Sequence, residues 1–191
     1  MAPVPLPDPQ LPDDPYQRTP IADEDWCLGD RHAPVTLLVY GDLECAQTAA
    51  AHPVLVGLVR ENPDALRLIY RHYPATELHH EAQNAAEAAE AAGAQGKFWE
   101  MLDLLFEQHP RLDVDHLRRQ AHALRLYLAQ FDREMNAHIH TAEVRRDLRR
   151  GGEDGVTETP AIFINRVMYD GPIEREAILA AIATHAAKKG A

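Results

Sequence analysis

The chain has 191 residues, of which 46% are apolar and 26% are charged, a composition typical of one folded domain with a substantial core. Its formal net charge of −11 argues against nucleic acids and anionic membranes as partners, because both would repel it. Two cysteines are too few for a disulfide framework.

The first 22 residues contain seven prolines, each of which fixes φ and removes a backbone donor. We therefore predict a flexible, proline-rich tail over residues 1–22 that forms neither helix nor sheet. The segment lacks a basic region followed by an apolar one, and no stretch of the chain approaches the ~18 apolar residues of a membrane span. These features predict a cytoplasmic protein that does not contact membranes.

A βαβ unit is predicted within residues 23–76. Val35–Tyr40 is a leucine-rich, β-branched run suited to a strand buried on both faces. Thr48–Asn62 predicts a helix that Pro53 kinks, and Leu66–Tyr73 has strand character again. A strand, a helix and a strand in this order require a parallel pair joined by a right-handed crossover.

Residues 77–150 show no strand pattern and predict a helical insertion. Small residues recur at helical spacing from Ala82 to Ala92, and Phe98–Phe106 carries an apolar stripe with a helical period. A third helix is expected after a capping aspartate, either Asp113 or Asp115.

Apolar residues between Phe131 and Leu148 predict a fourth helix, which Gly151-Gly152 is expected to end. Strands return within residues 151–188, and a last helix is predicted over Glu174–Ala187. One sheet with helices on both faces, capped along an edge by the insertion, is the natural packing.

A β-hairpin is predicted from Ala161–Ile164 and Val167–Asp170. Asn165 and Arg166 join the two runs. Because tight hairpin turns favour glycine at the second turn position, Arg166 predicts a looser turn.

Four segments, in this order, resemble a known family. They are the strand end YGDLEC, a proline eight residues after its cysteine, the helical stretch AAEAAEAAGAQGKFWEM, and GVTETPAIFIN followed by YDG. Over residues 25–187 the chain resembles DsbA-like thioredoxin-fold proteins, which are thiol–disulfide oxidoreductases with a helical insertion. The resemblance implies an α/β, thioredoxin-like fold, a mixed central sheet flanked by helices, with an inserted all-helical subdomain.

The resemblance implies a degenerate active site over residues Cys45–Thr48. The family carries two cysteines at this spacing, so the attacking cysteine is present as Cys45 and Thr48 replaces the resolving one. The family also carries a cis proline, which Thr159-Pro160 matches. With a cis bond, the backbone of Thr159 would face the cysteine and pair with an extended substrate peptide as an added strand.

Cys45 precedes the predicted helix, where the helix dipole and unpaired N–H groups favour the thiolate. The Thr48 hydroxyl is placed to donate a hydrogen bond to the sulfur from one turn further on, whereas the carboxylate of Glu44 opposes the thiolate. We therefore predict an exposed, reactive thiol. A small buried cysteine without chemistry is the alternative.

Cys27, eighteen residues before Cys45, is the internal candidate for a resolving thiol. Nothing in the sequence brings the two Cα atoms within the ~7 Å that a disulfide needs, so we predict an independent, half-buried cysteine. The eleven histidines include no pair at metal-binding spacing, so no metal is predicted.

These residues predict monothiol thiol–disulfide exchange by Cys45, tuned by Thr48, with Thr159 and Pro160 binding the partner chain. The expected partners are protein or small-molecule thiols and disulfides, with no bound cofactor and with glutathione as a candidate co-substrate. Two alternatives stay open: a non-catalytic peptide-binding or chaperone-like module, and a glutathione-dependent isomerase or transferase. The sequence indicates no oligomeric state.

Overall fold

A computed structural model describes residues 17–188 of the chain, with side chains described through Thr184. Its elements are β1 Trp26–Leu28, β2 Val35–Gly41, α1 Ala46–Glu61, β3 Leu66–His72, α2 Ala82–Gly93, α3 Phe98–Glu107, α4 Val114–Ala123, α5 Leu128–Asn136, α6 Thr141–Glu153, β4 Ala161–Ile164, β5 Val167–Tyr169 and α7 Arg175–Lys188. Within residues 17–188, no helix has the length and apolar character needed to cross a bilayer.

One mixed sheet forms the centre, with strand order β1-β3-β2-β4-β5. β2 and β3 are parallel, as the βαβ pattern predicts, and the other neighbouring pairs are antiparallel. Leu37, Val39 and Leu68 face a large core shared with α1, α2, α3 and α7. Leu38 and Ile69 face a smaller core on the opposite side. The predicted central sheet flanked by helices is therefore confirmed.

The helical insertion consists of five helices, α2 to α6, where the sequence predicts four. The fourth predicted helix is divided because the chain turns between α5 and α6, with His138 at a φ of 49°. Between the two aspartates considered as caps, the structure selects Asp113, whose side chain accepts a hydrogen bond of 2.9 Å from the N–H of His116.

The predicted helix end at Gly151-Gly152 is wrong, because α6 continues through both glycines to Glu153. A Cβ atom on Gly151 would lie 2.5 Å from Cδ2 of Tyr73. Gly151 therefore allows α6 to pack closely on the end of β3. The chain leaves the helix at Gly155, which has a φ of 79°.

The turn between β4 and β5 is tight, contrary to the expected looser turn. Asn165 and Arg166 both have positive φ, 47° and 76°. Each has a partner outside the hairpin: Asn165 Oδ1 accepts from the N–H of Thr36 at 2.9 Å, and the Arg166 guanidinium donates to the carbonyl of Gln17 at 3.0 Å. These contacts offset the unfavourable backbone conformation of Arg166.

A buried polar cluster fixes the start of the described chain. The Arg71 side chain is fully buried and donates to Asp25 Oδ2 at 2.8 Å and to the hydroxyl of Thr19 at 2.5 Å. Asp154 accepts from the N–H and the hydroxyl of Thr19, both at 2.7 Å, and from the hydroxyl of Tyr40 at 2.6 Å. Residues 17–22 thus belong to the folded body, whereas residues 1–16 of the predicted tail lie outside the described part.

Candidate active site

Cys45 is the residue that caps the N-terminus of α1. β2 ends at Gly41, and a short loop leads to Cys45, whose carbonyl accepts from the N–H of Ala49 at 3.0 Å. The first turn of α1 carries no acidic residue, so no carboxylate of the helix itself offsets the positive end of the dipole. The helix-terminal position predicted for the cysteine is confirmed.

The thiol of Cys45 is covered rather than exposed. Only 5% of the residue is accessible, and Sγ donates toward two oxygens, Gln47 Oε1 and the carbonyl of Thr159, each at 3.2 Å. The prediction of an exposed thiol is therefore wrong, because the Gln47 side chain and the Thr159 backbone close over the sulfur.

Thr48 does not make the hydrogen bond expected from the sequence. Its hydroxyl is buried, with 1% of the residue accessible, and accepts from the N–H of Asp42 at 3.5 Å. No hydrogen bond joins it to the sulfur of Cys45 among the described residues. Thr48 therefore contacts the loop that carries the cysteine instead of the thiol.

Sheet pairing brings Thr159 to the thiol across 114 residues of chain. β4 is antiparallel to β2, with Ala161 opposite Tyr40, so the residues before β4 arrive beside the loop after β2. The peptide bond between Thr159 and Pro160 is cis. The structure thus brings together Cys45 and Thr159, two of the residues that the sequence selects.

Asp42 is a site residue that the sequence analysis missed. Its buried carboxylate accepts three hydrogen bonds of 2.8 Å, from the N–H groups of Glu44 and Ala75 and from His79 Nδ1. The N–H of Cys45 donates to the Asp42 carbonyl at 3.1 Å. The available signal was an aspartate directly after a buried strand, but two of its three partners, Ala75 and His79, come from a distant segment.

The helical insertion also holds the Glu44 backbone and side chain. His109 Nε2 contacts the Glu44 carbonyl at 3.0 Å, and Glu44 Oε2 accepts from the N–H of Glu81 at 2.8 Å. The Glu44 carboxylate, which was expected to oppose the thiolate, is therefore bonded to the insertion. These two contacts hold the loop of residues 42–45 against the helical insertion.

Beneath the site lies the buried hydroxyl of Tyr70, which has no hydrogen-bond partner among the described residues. Burial raises its pKa well above the ordinary value, and the nearby charges of Asp42, Asp147 and Cys45 add to the effect. A Cβ atom on Gly41 would lie 2.6 Å from this hydroxyl. The glycine in the YGDLEC stretch thus makes room for Tyr70.

Cys27 lies on the edge strand β1 and remains a free, half-buried thiol, as Cys45 remains a free thiol. Its Sγ is 3.9 Å from the carbonyls of Leu28 and Gly29, and burial raises its pKa above the ordinary value. Among the side chains described, residues 17–184, no three of Cys, His, Asp or Glu lie together as a metal site would require.

Comparisons with known proteins match nearly the whole described body. The family described as thioredoxin matches residues 22–184. A protein of Salinispora tropica named Na(+)/H(+) antiporter NhaA 3 is 38% identical over 160 residues, which cover 84% of this chain and 24% of that protein. The chain therefore spans about a quarter of the length of the curated relatives it matches.

Two solved structures share the fold. A thioredoxin-like oxidoreductase from Silicibacter pomeroyi is 26% identical with a TM-score of 0.76, covering 87% of this chain and 94% of that one. The α-DsbA1 protein of Wolbachia pipientis is 21% identical with a TM-score of 0.73, covering 86% and 92%. The predicted α/β, thioredoxin-like fold is confirmed.

Proposed function

Because the chain belongs to the thioredoxin family and has a DsbA-like fold, we propose that it performs thiol–disulfide exchange with Cys45 as its single attacking thiol. The observation that carries the proposal is the 3.2 Å contact between the helix-terminal Sγ and the Thr159 carbonyl. Thr159 immediately precedes Pro160 and β4, where an extended peptide can pair with the backbone. The thiol and the peptide-binding backbone thus lie side by side.

The reaction begins when the Cys45 thiolate attacks one sulfur of a partner disulfide. A new disulfide forms between Cys45 and the partner, and the second partner sulfur leaves as a thiolate that takes up a proton. An incoming peptide N–H that pairs with the Thr159 carbonyl removes one acceptor from the Cys45 S–H. Binding of the partner chain therefore frees the sulfur from one of its two contacts.

The second step needs a thiol from outside the chain. Thr48 has no sulfur, and Cys27 lies on the edge strand β1, with its Sγ directed toward the carbonyls of Leu28 and Gly29. A second thiolate, from the partner itself or from a small thiol such as glutathione, attacks the mixed disulfide and releases Cys45 as a thiolate. When the partner's own thiolate attacks, a disulfide re-forms within the partner and no net reduction occurs; when two molecules of a small thiol act in succession, they supply the two electrons and leave as their own disulfide.

Trapping of mixed disulfides tests the proposal. Wild-type protein is incubated with cell extract, alkylated and separated without reductant, beside Cys45→Ser and Cys27→Ser. We expect adducts in the wild type and in Cys27→Ser that disappear on reduction. Adducts that persist in Cys45→Ser, or their absence from the wild type, would contradict the proposal.

One observation favours a second candidate function, a non-catalytic peptide-binding or chaperone-like module. Only 5% of Cys45 is accessible, and the Gln47 side chain and the Thr159 carbonyl lie 3.2 Å from its sulfur, so access of a partner disulfide to the sulfur is restricted in the free protein. In that case Cys45→Ala would bind peptides as tightly as the wild type and would protect an aggregating client equally well. Loss of both effects in Cys45→Ala would exclude the module.

The relatives named as Na(+)/H(+) antiporters favour a membrane transport protein as one class of partner. Cytoplasmic location stays a prediction. Fractionation of cells that express the chain, followed by trapping in the membrane and soluble fractions, tests both points. Adducts of Cys45 confined to soluble proteins would exclude the membrane partner.

A further inference from the structure

A groove of about 440 Å³ lies between α1 and α3. Its walls include Pro53, Val56 and Gly57 from α1 and Phe106 from α3. This volume is within the range of ligand-binding pockets, which are mostly apolar with a few polar groups. The mechanism described above makes no use of this groove.

The groove lies along one face of α1, the helix whose N-terminus carries Cys45. Ala49, Pro53 and Val56 line it, and they follow Cys45 at spacings that place them on the same helix face. With a rise of about 1.5 Å per residue, the groove begins about 6 Å from Cys45 and ends about 22 Å away at Arg60. The length of the groove indicates what kind of ligand fits it.

Gly57 keeps the groove open. A Cβ atom at this position would meet no atom within 4 Å, although Gly57 lies in the interior of α1. Glycine weakens a helix interior relative to alanine, and close packing does not require it here. Empty space beside α1 is thus maintained at some cost in helix stability.

The charges at the rim favour a basic partner. Asp103 is neutralised within the protein, because it accepts from His52 Nε2 at 2.7 Å and from Arg60 Nη2 at 2.8 Å. Glu107 is exposed, has no partner among the described residues and is the last residue of α3, where the helix dipole is negative. A cation bound beside Glu107 is therefore favoured by both charges.

We propose that this groove binds an extended segment of the substrate polypeptide, with an apolar side chain against Pro53, Val56 and Phe106 and a basic side chain beside Glu107. The inference rests on the proposed exchange at Cys45. Val56 and Gly57 lie about 17 Å along α1 from Cys45, a distance that about five extended residues span. A small thiol attached to Cys45 is too short to fill the groove, whereas a polypeptide reaches it.

Two probes separate binding in the groove from chemistry at the thiol. The first is a synthetic peptide whose cysteine is joined to 2-thiopyridine, with leucine five residues away and lysine next to it. The second is 2,2′-dithiodipyridine, which is small enough to react with Cys45 without occupying the groove. Attack by Cys45 releases the absorbing thiopyridone from either probe while forming a disulfide to the protein. The rates are measured with Cys27→Ser as the common background.

Gly57→Leu fills the groove, and Gly152→Leu is its matched control. Gly152 is also a helical glycine whose Cβ would meet nothing within 4 Å, but it is exposed, whereas Gly57 is half-buried, and it lies on α6. We expect Gly57→Leu to slow the peptide reaction at least tenfold and to leave the reaction with dithiodipyridine unchanged. Gly152→Leu should leave both rates unchanged.

Glu107→Gln is a second variant that does not alter packing. It should slow the lysine peptide severalfold and have no effect on the same peptide with glutamine in place of lysine. If Gly57→Leu and Glu107→Gln both react with the peptide like the background protein, the groove proposal is overturned while the exchange function stands. If neither probe reacts with Cys45 in the background protein, the proposed function fails, and the groove proposal fails with it.

Discussion

Thr48 occupies the position from which a second cysteine would release the partner. Its side chain is buried in the first turn of α1, where the hydroxyl contacts the backbone of Asp42 in the loop before the helix. We expect Thr48→Cys to release mixed disulfides without an external thiol, because the new sulfur can attack the disulfide at Cys45. Release of the peptide in a single turnover should then no longer depend on the glutathione concentration, whereas further turnovers still need a thiol that reduces the new disulfide of the protein.

Thr48→Ser is the control for this substitution, since it retains a hydroxyl and adds no thiol. It should leave the dependence on external thiol as it is in the wild type. If Thr48→Cys accumulates the same adducts as the wild type, the missing thiol is not what limits release.

Two buried carboxylates near His72 respond to pH in opposite directions. Burial acts to raise the pKa of Glu90, but its contacts with His72 and Trp26 outweigh burial and hold the pKa below the ordinary 4.5. His72 Nε2 lies 3.2 Å from Glu90 Oε1, which is within ion-pair distance but lacks hydrogen-bond geometry. Burial dominates at Asp147 and raises its pKa above the ordinary 3.8.

The free energy of unfolding should reflect both shifts. The stabilisation from Glu90 is complete above pH 4.5 and is lost as the pH falls through its folded pKa, so Glu90→Gln should reduce the loss of stability in acid. Asp147 binds its proton more tightly when folded, so its contribution rises as the pH falls toward 3.8. Asp147→Asn should remove that rise and be more stable than wild type at pH 7. Urea unfolding from pH 3.5 to 7 measures both, and parallel curves for the two variants would contradict the assignment.

The sequence identifies the chemistry of single site residues better than their surroundings. Cys45 and Thr159 are recognisable because one precedes a helix and the other precedes a proline and a strand. The role of Gln47 depends on its side-chain conformation, which directs Oε1 to Cys45, and the role of Asp42 depends on Ala75 and His79, which approach it from a distant segment. The Thr48 hydroxyl was assigned to the wrong partner for the same reason, since helix spacing allows both the sulfur and the loop.

Neighbouring glycines in α6 should respond oppositely to alanine. At Gly151 a methyl group would lie 2.5 Å from the ring of Tyr73, so Gly151→Ala should cost about 1–3 kcal/mol of folding free energy. At Gly152 nothing lies within 4 Å, so Gly152→Ala should gain about 0.5–1 kcal/mol from higher helix propensity. Chemical denaturation of both variants measures the difference. Equal changes of the same sign would show that Tyr73 moves aside without cost.

Periodicity predicts the elements well where the pattern continues and poorly where a contact interrupts it. The parallel βαβ unit follows from β2, α1 and β3 alone. The division between α5 and α6 and the continuation of α6 through two glycines do not. In both cases a local signal was overridden by packing, as with Tyr73 against Gly151.

At the scale of the whole molecule, the Asp154 carboxylate joins the first described residues to the body. It accepts from the N–H groups of Arg18 and Thr19 at 2.7 Å, in addition to its bonds with two hydroxyls. Asp154→Ala should cost about 3–5 kcal/mol, because it leaves these N–H and hydroxyl groups without their acceptor and removes the carboxylate that lies 3.7 Å from Arg71 Nη1. Asp154→Asn, which keeps one oxygen, should cost less.

Hydrogen exchange distinguishes a local from a global effect of Asp154→Ala. We expect the amides of Arg18 and Thr19 to exchange much faster than in the wild type, while β2 and β3 stay protected. Uniform loss of protection across the sheet would mean that Asp154 stabilises the whole fold and not chiefly its first residues.

The whole fold could be predicted because four separated segments resemble one family in order and spacing. The extent of the proline-rich segment could not, because the partners of residues 17–22 come from β3, α6 and the β4–β5 turn. Proline content indicates only that a segment lacks regular structure. Burial of such a segment depends on charges such as Arg71 and Asp154, which no local pattern reveals.

The pairing of Gln17 with the Arg166 backbone, at 2.6 Å, sets where the chain joins the folded body. The Asn165-Arg166 turn lies beside the Leu37 end of β2, whereas Cys45 comes after the Gly41 end. The turn and Cys45 therefore lie about 15 Å apart along the sheet. A surface linkage or a reporter joined before Gln17 in the chain would therefore attach at the end of the sheet opposite the thiol. Immobilising the protein through that end would orient Cys45 outward, toward arriving partners.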